Sequence, residues 1–207
     1  MQLYETTGFP NPARIRAALS YKGITDQVSF IEVDVMAKAH RTPEFYRMNP
    51  TGTVPVLKTA EGVYLSESTA ITEYLDGRFA KRNLTGETPL ERGLIHMMQR
   101  RAESMVMDAV GAYFHHGTAG LGPELETNQC PAWGLLQKAA AGRGLAYFNQ
   151  VLSDHEFVAA DRFSMADITL FYGLAFADFA AVEVPLSLTA LHAWRERVKS
   201  IIQVPGQ

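Results

Sequence analysis

The run Asn49-Pro50-Thr51-Gly52-Thr53-Val54-Pro55-Val56-Leu57 leads from a turn into a strand and decides the fold. Pro55 has no amide hydrogen and cannot donate to a sheet ladder, so such prolines occur on edge strands or at cis bonds where the chain turns sharply. We therefore expect either an open sheet edge or a cis bond here. At that edge Val54 would offer its amide and carbonyl to the backbone of an extended peptide ligand.

A second segment, Leu65-Ser66-Glu67-Ser68, predicts the passage from a strand into a helix. The amides at a helix N-terminus favour an anion, and the hydroxyl of Ser68 adds a further donor. Together with the segment around Val54, this pattern predicts a site for a short peptide that carries a free carboxylate.

The residues around these segments predict a small α/β domain over residues 1–79. A strand, a helix and a second strand form a βαβ unit, and a later hairpin adds antiparallel pairing to the same sheet. The expected elements are strands at 2–5 and 28–35, helices at 13–21 and 66–79, and a hairpin of residues 54–58 and 63–65.

A polar, aperiodic stretch at residues 80–87 predicts a linker, and residues 88–207 have helical spacing throughout. Thr88-Pro89-Leu90-Glu91 and Ser164-Met165-Ala166-Asp167 have the pattern of capping boxes. In the second box Asp167 is better explained as a ligand of backbone amides than as a catalytic carboxylate. The expected helices are 88–116, 132–152, 165–180 and 187–202.

Composition excludes several classes of function. The 207 residues carry 19 Lys and Arg against 22 Asp and Glu, which gives none of the basic surplus that nucleic acid binding requires. No apolar run reaches membrane-spanning length, and no secretory signal precedes the first strand. Cys130 is the single cysteine, which excludes an internal disulfide and a cysteine-based zinc site. The expected location is the cytoplasm.

These motifs carry a family resemblance. The pattern Asn-Pro-x-Gly-x-Val-Pro from Asn49, the Glu67-Ser68 pair and the segment Phe163-Ser164-Met165-Ala166-Asp167-Ile168-Thr169 resemble the soluble glutathione transferases over essentially the whole chain. A fungal and bacterial branch also has the Pro-Ala-Arg-Ile-Arg run from Pro12 and the Tyr113-Phe114-His115-His116 run, which leads into Gly120-Leu121-Gly122-Pro123-Glu124.

The resemblance implies a fold, a reaction and partners. The fold is a thioredoxin-like α/β N-terminal domain joined to an all-α C-terminal helical bundle, in a homodimer. The implied reaction is conjugation of the glutathione thiolate to small electrophiles, with glutathione as co-substrate and with no metal. In relatives, further helical turns are common after the segment that corresponds to residues 201–207 of this chain.

The resemblance also assigns the glutathione-binding residues. Val54 and a cis Pro55 are implied to hold the cysteinyl backbone, and Glu67 with Ser68 the γ-glutamyl end. His40 and Thr53 match positions that contact the glycyl end or the peptide backbone in related classes. Taken singly, Pro55 and Ser68 would each be explained by an ordinary edge proline and an ordinary helix cap.

The usual thiol-activating side chain is missing. Related classes place a Tyr, Ser or Cys near the start of the first helix, where this chain has Gly8-Phe9-Pro10-Asn11-Pro12. Asn11 could donate an amide hydrogen, whereas Thr6 and Thr7 are better explained as turn residues. Lowering a thiol pKa by about two units takes about 2.7 kcal/mol, which one good donor or a held water can nearly supply.

In the branch that this chain resembles, a histidine on the first helix of the helical domain holds such a water. His115 is the first candidate and His116 the second. Because neighbouring helical residues point about 100° apart, we expect only one of the two to face the cleft. Gly111, one turn earlier, lacks the hydroxyl that would help to fix the water. A histidine that only caps the last carbonyls is the competing explanation. Tyr113 and Phe114 are implied to wall the electrophile pocket, although Phe114 would equally suit the core.

Two other functions stay open and a third is disfavoured. A non-catalytic glutathione-binding or scaffold protein of the same fold would explain the missing first-helix side chain. Glutathione-dependent peroxidase activity needs only an activated glutathione thiol. Disulfide reduction is disfavoured, because it normally requires a cysteine where Pro10 and Asn11 stand.

Overall fold

The computed structural model describes residues 1–159 and 161–202. The chain divides into two compact units, Met1–Leu84 together with Ile202, and Thr85–Ile201. The division falls within the polar stretch of residues 80–87. The end of the predicted helical domain, residues 203–207, lies outside the described residues.

The first unit is an α/β layer built on a mixed four-stranded sheet in the order β2-β1-β3-β4. β1 pairs with β2 in parallel and with β3 antiparallel, and β3 pairs antiparallel with β4. The strands are β1 (Gln2–Glu5), β2 (Ser29–Glu32), β3 (Val56–Lys58) and β4 (Tyr64–Ser66), and the helices are α1 (Pro10–Lys22), α2 (Pro43–Met48) and α3 (Ser68–Arg78).

Helix α1 begins three residues before the predicted start, because a proline in the first turn costs no helical hydrogen bond. It ends at Gly23, whose φ of 69° is the left-handed conformation that glycine adopts readily. One face of the sheet packs on α1 and α3 through the buried side chains Leu3, Val28, Leu57, Ile15, Leu19, Ile71 and Leu75.

Two sequence expectations for this unit are wrong. β3 is not an edge strand, because β1 and β4 pair with its two sides. Pro55 is tolerated because it precedes the first residue of β3, where no ladder bond is lost. Strand β2 is also shorter than the predicted 28–35, and α2, which the sequence analysis did not predict, occupies six residues after the N-cap Thr42.

A buried ion pair fastens the helices of the first unit to the residues that follow them. Lys22 Nζ donates to Asp76 Oδ1 at 2.6 Å, and both side chains are almost fully buried. Lys22 also donates to the carbonyl of Lys81 at 3.0 Å, while Asp76 Oδ2 accepts from the Leu84 amide at 2.6 Å. The pair therefore joins α1, α3 and residues 81–84.

The second unit is entirely helical among the residues described. Its helices are α4 (Pro89–Ala102), α5 (Asp108–Gly117), α6 (Pro131–Asp154), α7 (Met165–Phe179) and α8 (Thr189–Ile201).

The prediction of one unbroken helix over 88–116 is wrong, because a π-helical segment, Glu103–Met107, separates α4 from α5. Two glycines lie against this segment. A side chain at Gly144 of α6 would collide with the Met105 carbonyl, and one at Gly173 of α7 would lie 3.0 Å from Val106. The π segment thus coincides with the closest approach of three helices, and it rotates α5 relative to a continuous helix.

Asp167 is structural, as the sequence predicts. Its Oδ2 accepts from the amide and the hydroxyl of Ser164, each at 3.0 Å, which completes the capping box of α7. Its Oδ1 accepts from the Val158 amide and from the indole of Trp194, each at 2.9 Å. The carboxyl group is fully buried and links the start of α7 to the preceding loop and to α8.

Candidate functional site

The loop before β3 is organised by one buried side chain, that of Asn49. Its amide group donates to the carbonyl oxygen of Thr53 at 2.9 Å, and its carbonyl oxygen accepts from the amide of Thr51 at 3.2 Å. Gly52 has a φ of 62°, and a side chain there would lie 2.8 Å from the Tyr46 ring. The loop is therefore held rigid up to Val54.

Sheet register brings the two predicted peptide-binding segments together. Val56 of β3 is paired with Ser66 of β4, so Val54 and Pro55 leave the sheet at the same end as Glu67 and Ser68. The Val54–Pro55 peptide bond is cis. Among residues 1–159 and 161–202, no backbone group hydrogen-bonds to the amide or carbonyl of Val54. Both groups are available to an extended ligand.

Glu67 and Ser68 form the junction between β4 and α3. Glu67 has a φ of 67°, an uncommon conformation for a residue with a side chain, and its own side chain is exposed. Ser68 is the first residue of α3 and only 6% exposed, and its hydroxyl donates to the Asn11 carbonyl at 3.3 Å. The starts of α1 and α3 therefore adjoin each other at this end of the sheet.

His40 lies beside the same loop, because its carbonyl oxygen would be 3.4 Å from a side chain at Gly52. Burial, and secondarily the charge of Arg41, lowers the pKa of His40, so its ring is neutral at neutral pH. Arg41 Nε donates to His40 Nε2 at 3.1 Å, which leaves the ring proton on the buried Nδ1. The Thr53 hydroxyl contacts Thr51 at 2.8 Å within the loop.

The start of α1 holds Asn11, whose side-chain oxygen accepts from Arg14 Nη1 at 3.0 Å. This contact uses the side-chain oxygen of the exposed Asn11, so the amide group of the same side chain is its hydrogen-bond donor. The hydroxyl of Thr6 donates to the Val33 carbonyl at 2.7 Å, and that of Thr7 donates to Glu32 at 2.8 Å. Both threonine hydroxyls are therefore occupied in joining the end of β1 to the end of β2.

In the second unit, His115 and His116 occupy the last turn of α5 and make different contacts. His115 Nδ1 lies 2.7 Å from Glu126 Oε1, and the carboxylate is more buried than the imidazole. His116 Nδ1 accepts from the amide of Cys130, the N-cap residue of α6, at 3.1 Å. His116 therefore satisfies a backbone donor at the start of a neighbouring helix.

Tyr113 and Phe114 also take different environments. Lys138 Nζ lies 4.7 Å from the centre of the Tyr113 ring and 3.3 Å from its hydroxyl. Phe114 packs edge-on or tilted against two side chains that the sequence analysis did not single out, Phe176 and Phe179 of α7, at 5.5 and 5.6 Å between ring centres. Phe179 is 74% exposed, so this cluster forms an open aromatic surface next to His115.

A cavity of the helical unit lies away from these residues. It has a volume of about 900 Å³ and is lined by α4, the end of α6 and the loop that follows, and by none of the predicted site residues. In the described ranges no cluster of three or more His, Cys, Asp or Glu side chains could hold a metal ion. Within the same ranges, no helix is both long and apolar enough to span a bilayer.

Comparison with family models matches both units. Residues 10–78 match the glutathione S-transferase N-terminal domain, and residues 103–197 match the glutathione S-transferase C-terminal domain. Among characterised proteins, glutathione S-transferase 2 of Saccharomyces cerevisiae is 47% identical over 199 residues, which are 96% of this chain and 85% of the relative. Maleylacetoacetate isomerase of Pseudomonas aeruginosa is 30% identical over 94% of this chain and 86% of its own.

Solved structures agree with these matches. A glutathione S-transferase domain-containing protein of Marinobacter aquaeolei is 56% identical, with a TM-score of 0.95 over 97% of this chain and 98% of the other. Gtt2 of Saccharomyces cerevisiae is 46% identical, with a TM-score of 0.94 over 99% of this chain and 97% of the other.

Proposed function

The chain belongs to the glutathione S-transferase family and is a glutathione transferase, and from this premise we propose how its residues bind and activate the co-substrate. Val54 binds the cysteinyl backbone of glutathione through its free amide and carbonyl. Glu67 and Ser68, at the start of α3, bind the γ-glutamyl end. His40 and Thr53 belong to the same half-site and lie toward the glycyl end.

One observation carries this assignment, the pairing of Val56 with Ser66. This pairing brings the unpaired amide and carbonyl of Val54 to the same end of the sheet as the N-terminus of α3. A short peptide with a free carboxylate can bind its backbone to the first feature and its carboxylate to the second. The buried hydroxyl of Ser68 adds a neutral donor to the helix amides. The exposed carboxylate of Glu67 forms an ion pair with the ammonium group of the γ-glutamyl end.

His115 is the proposed activator of the thiol. Because its Nδ1 faces a carboxylate, its Nε2 is left to accept a proton from the glutathione thiol, directly or through a held water. The sulfur electron pair then forms a bond to the electrophilic carbon, whose leaving group or π electrons take up the displaced pair. His116 is the weaker candidate, because its Nδ1 is engaged by the Cys130 amide. Asn11 remains a donor to the sulfur.

The electrophile is a small apolar molecule that stacks on the aromatic surface of Phe114, with Tyr113 beside it. Phe176 and Phe179 extend this surface, and Phe179 exposes most of its ring. We further propose that the protein acts as a homodimer in the cytoplasm and serves detoxification, as the resemblance implies.

An ultraviolet titration of the glutathione complex against pH tests the activation. The thiolate band of bound glutathione should report a thiol pKa about two units below the free value of about 8.5. In His115→Ala the pKa should return toward the free value, whereas the matched control His116→Ala should leave it low. An unshifted pKa in the wild-type complex would instead favour the non-catalytic scaffold.

A further inference from the structure

Glu126 stands in a loop eleven residues after His115, and its carboxylate accepts two hydrogen bonds through one oxygen. Oε1 lies 2.7 Å from His115 Nδ1 and 2.9 Å from the amide nitrogen of Leu121. The Glu126 side chain is 11% exposed, against 45% for the imidazole. A carboxylate with so little contact to solvent requires hydrogen-bond donors from the protein. The His115 ring and the Leu121 amide are these donors.

This contact determines which nitrogen of His115 carries the proton. An ionised carboxylate can only accept, so Nδ1 must be the donor, and in the neutral ring Nε2 then keeps its lone pair. His116 is held in the opposite way. Its Nδ1 accepts from a backbone amide, so in its neutral ring the proton is on Nε2. Of the two neighbours, only His115 offers an unprotonated Nε2.

The loop around Glu126 is shaped to hold this carboxylate. Gly120 has a φ of 54°, and a side chain there would collide with the Glu126 carboxylate. The last carbonyls of α5 are satisfied by loop side chains: Thr118 donates to the Phe114 carbonyl at 2.6 Å, and Gln129 donates to the His115 carbonyl at 2.7 Å. The loop is therefore anchored to the same helical turn that carries the imidazole.

We propose that Glu126 is a positioning residue for the transferase reaction, which holds the imidazole of His115 with its proton on Nδ1 and its Nε2 free to accept a proton. The inference rests on the proposed function, in which His115 activates the glutathione thiol. A carboxylate that fixes the tautomer and direction of a histidine base is a general device of catalysis.

The proposal differs from a purely structural role of Glu126 as an anchor for the loop. If Glu126 only anchored the loop, its removal would lower the free energy of unfolding but would not change which nitrogen of the His115 ring carries the proton. A positioning residue must change the protonation pattern of the His115 ring and the turnover that depends on it. The side-chain oxygen of glutamine can accept from both Nδ1–H and the Leu121 amide, so Glu126→Gln keeps the geometry without the charge, whereas Glu126→Ala removes both.

Nitrogen-15 spectra of the histidine rings in the intact protein test the tautomer without using activity. The His115 signals are assigned by their loss in His115→Ala. In the wild type the neutral ring should show a protonated Nδ1 and an unprotonated Nε2. In Glu126→Ala the population should shift toward the form protonated at Nε2, and Glu126→Gln should restore the wild-type pattern. A wild-type pattern retained in Glu126→Ala would overturn the proposal.

Steady-state kinetics with 1-chloro-2,4-dinitrobenzene as the electrophile provide the second readout. Glu126→Ala should lower kcat at least about ten-fold, as expected for part of a general-base contribution, and leave KM for glutathione within about two-fold. Glu126→Gln should recover most of kcat. Glu124→Ala, which removes an exposed carboxylate two residues away, is the matched control and should leave both constants unchanged.

The outcomes separate the two proposals. If His115→Ala lowers kcat while Glu126→Ala does not, the positioning role is wrong and the proposed activation by His115 stands. If His115→Ala itself leaves kcat unchanged, the proposed activation fails, whatever the tautomer spectra show. If Glu126→Ala does not fold, Gly120→Ala, which displaces the carboxylate without removing it, should produce the same shift in tautomer and the same loss of kcat; wild-type values in that variant would overturn the proposal.

Discussion

Ser68 combines burial with a weak hydrogen bond, and this makes it the most informative residue of the proposed glutathione half-site. Its hydroxyl donates to the Asn11 carbonyl at 3.3 Å, near the upper limit for a hydrogen bond, and can turn toward a better acceptor. A hydrogen bond to a carboxylate contributes about 1.5–3 kcal/mol. Ser68→Ala should therefore weaken glutathione binding by about ten- to a hundred-fold in a calorimetric titration.

The control for this variant is Ser66→Ala, which changes a half-buried hydroxyl in β4 two residues earlier. The backbone pairing of Ser66 with Val56 does not depend on its side chain. If Ser68→Ala binds glutathione as tightly as the control does, the assignment of the γ-glutamyl site to the start of α3 is wrong.

Asp167 makes the stability of the helical unit depend on pH. Burial raises the pKa of Asp167 from 3.8 to about 6, even though four protein donors favour its ionised form. The folded chain therefore keeps the proton to a higher pH than the unfolded chain. The resulting stabilisation is fully present below pH 3.8 and is lost as the pH rises through about 6.

We expect Asp167→Asn, which cannot titrate, to lack this dependence. A shift from 3.8 to about 6 corresponds to about 3 kcal/mol, so the free energy of unfolding of the wild type should fall by about that amount relative to the variant between about pH 3 and pH 7. Urea unfolding at matched pH values measures the difference. Asp154→Asn, at an exposed aspartate on α6, is the control. A difference that is constant with pH would contradict the expectation.

At the level of residues, the sequence predicts side chains with local signatures and misses those that depend on tertiary contacts. Asp167 was predictable because a capping box is a pattern of four successive residues. Glu126 was not, because nothing in a loop pattern shows which of several acids returns to a histidine on the preceding helix. The contact of His116 with Cys130 likewise depends on the approach of α6 to the end of α5.

Among the elements, the Lys22–Asp76 pair should be the strongest single link between α1 and α3. Removal of one partner leaves a buried charge, which typically costs about 3–5 kcal/mol. Lys22→Met should therefore destabilise the protein strongly. The double variant with Asp76→Asn should be destabilised by less than the sum of the two single changes, because Asn can still accept from the Leu84 amide.

A double-mutant cycle by chemical unfolding measures this coupling, which we expect to be about 1–3 kcal/mol. The exposed pair Glu44–Arg47, 2.9 Å apart on α2, is a matched control whose coupling should stay below about 1 kcal/mol. Equal coupling in the two pairs would show that burial adds nothing to the link between α1 and α3.

The order of the elements could be predicted from periodicity, but their exact geometry could not. Hydrophobic spacing does not distinguish an α-helix from one that contains a single π turn, so the segment Glu103–Met107 was missed. The segment lies against Gly144 and Gly173, which are remote in sequence and mark where other helices approach. The wrong edge assignment of β3 has a similar origin, since a proline reports only on its own missing donor and not on the neighbours of the strand.

For the whole molecule, three exposed apolar side chains on α4 form a candidate interaction surface. Leu90, Leu94 and Met97 are spaced at i, i+4 and i+7 on α4 and are 74%, 39% and 41% exposed. They form one apolar stripe along the helix. Contiguous apolar surface of this kind is uncommon on monomeric proteins and marks an interaction surface.

We expect this stripe to lie in a homodimer interface. Light scattering on the purified protein should then give a mass of about 46 kDa, twice the 22.9 kDa of one chain. Leu94→Glu places a charge in the stripe and should yield monomers, because an unpaired charge at the centre of an interface is strongly unfavourable. Leu186→Glu changes a single leucine that is 87% exposed between α7 and α8 and should leave the mass unchanged. If the wild type is a monomer, the expectation of a homodimer is wrong. If Leu94→Glu stays a dimer, the interface does not include this stripe, and the next candidate is the exposed apolar group of Trp133, Leu135 and Leu136 on α6.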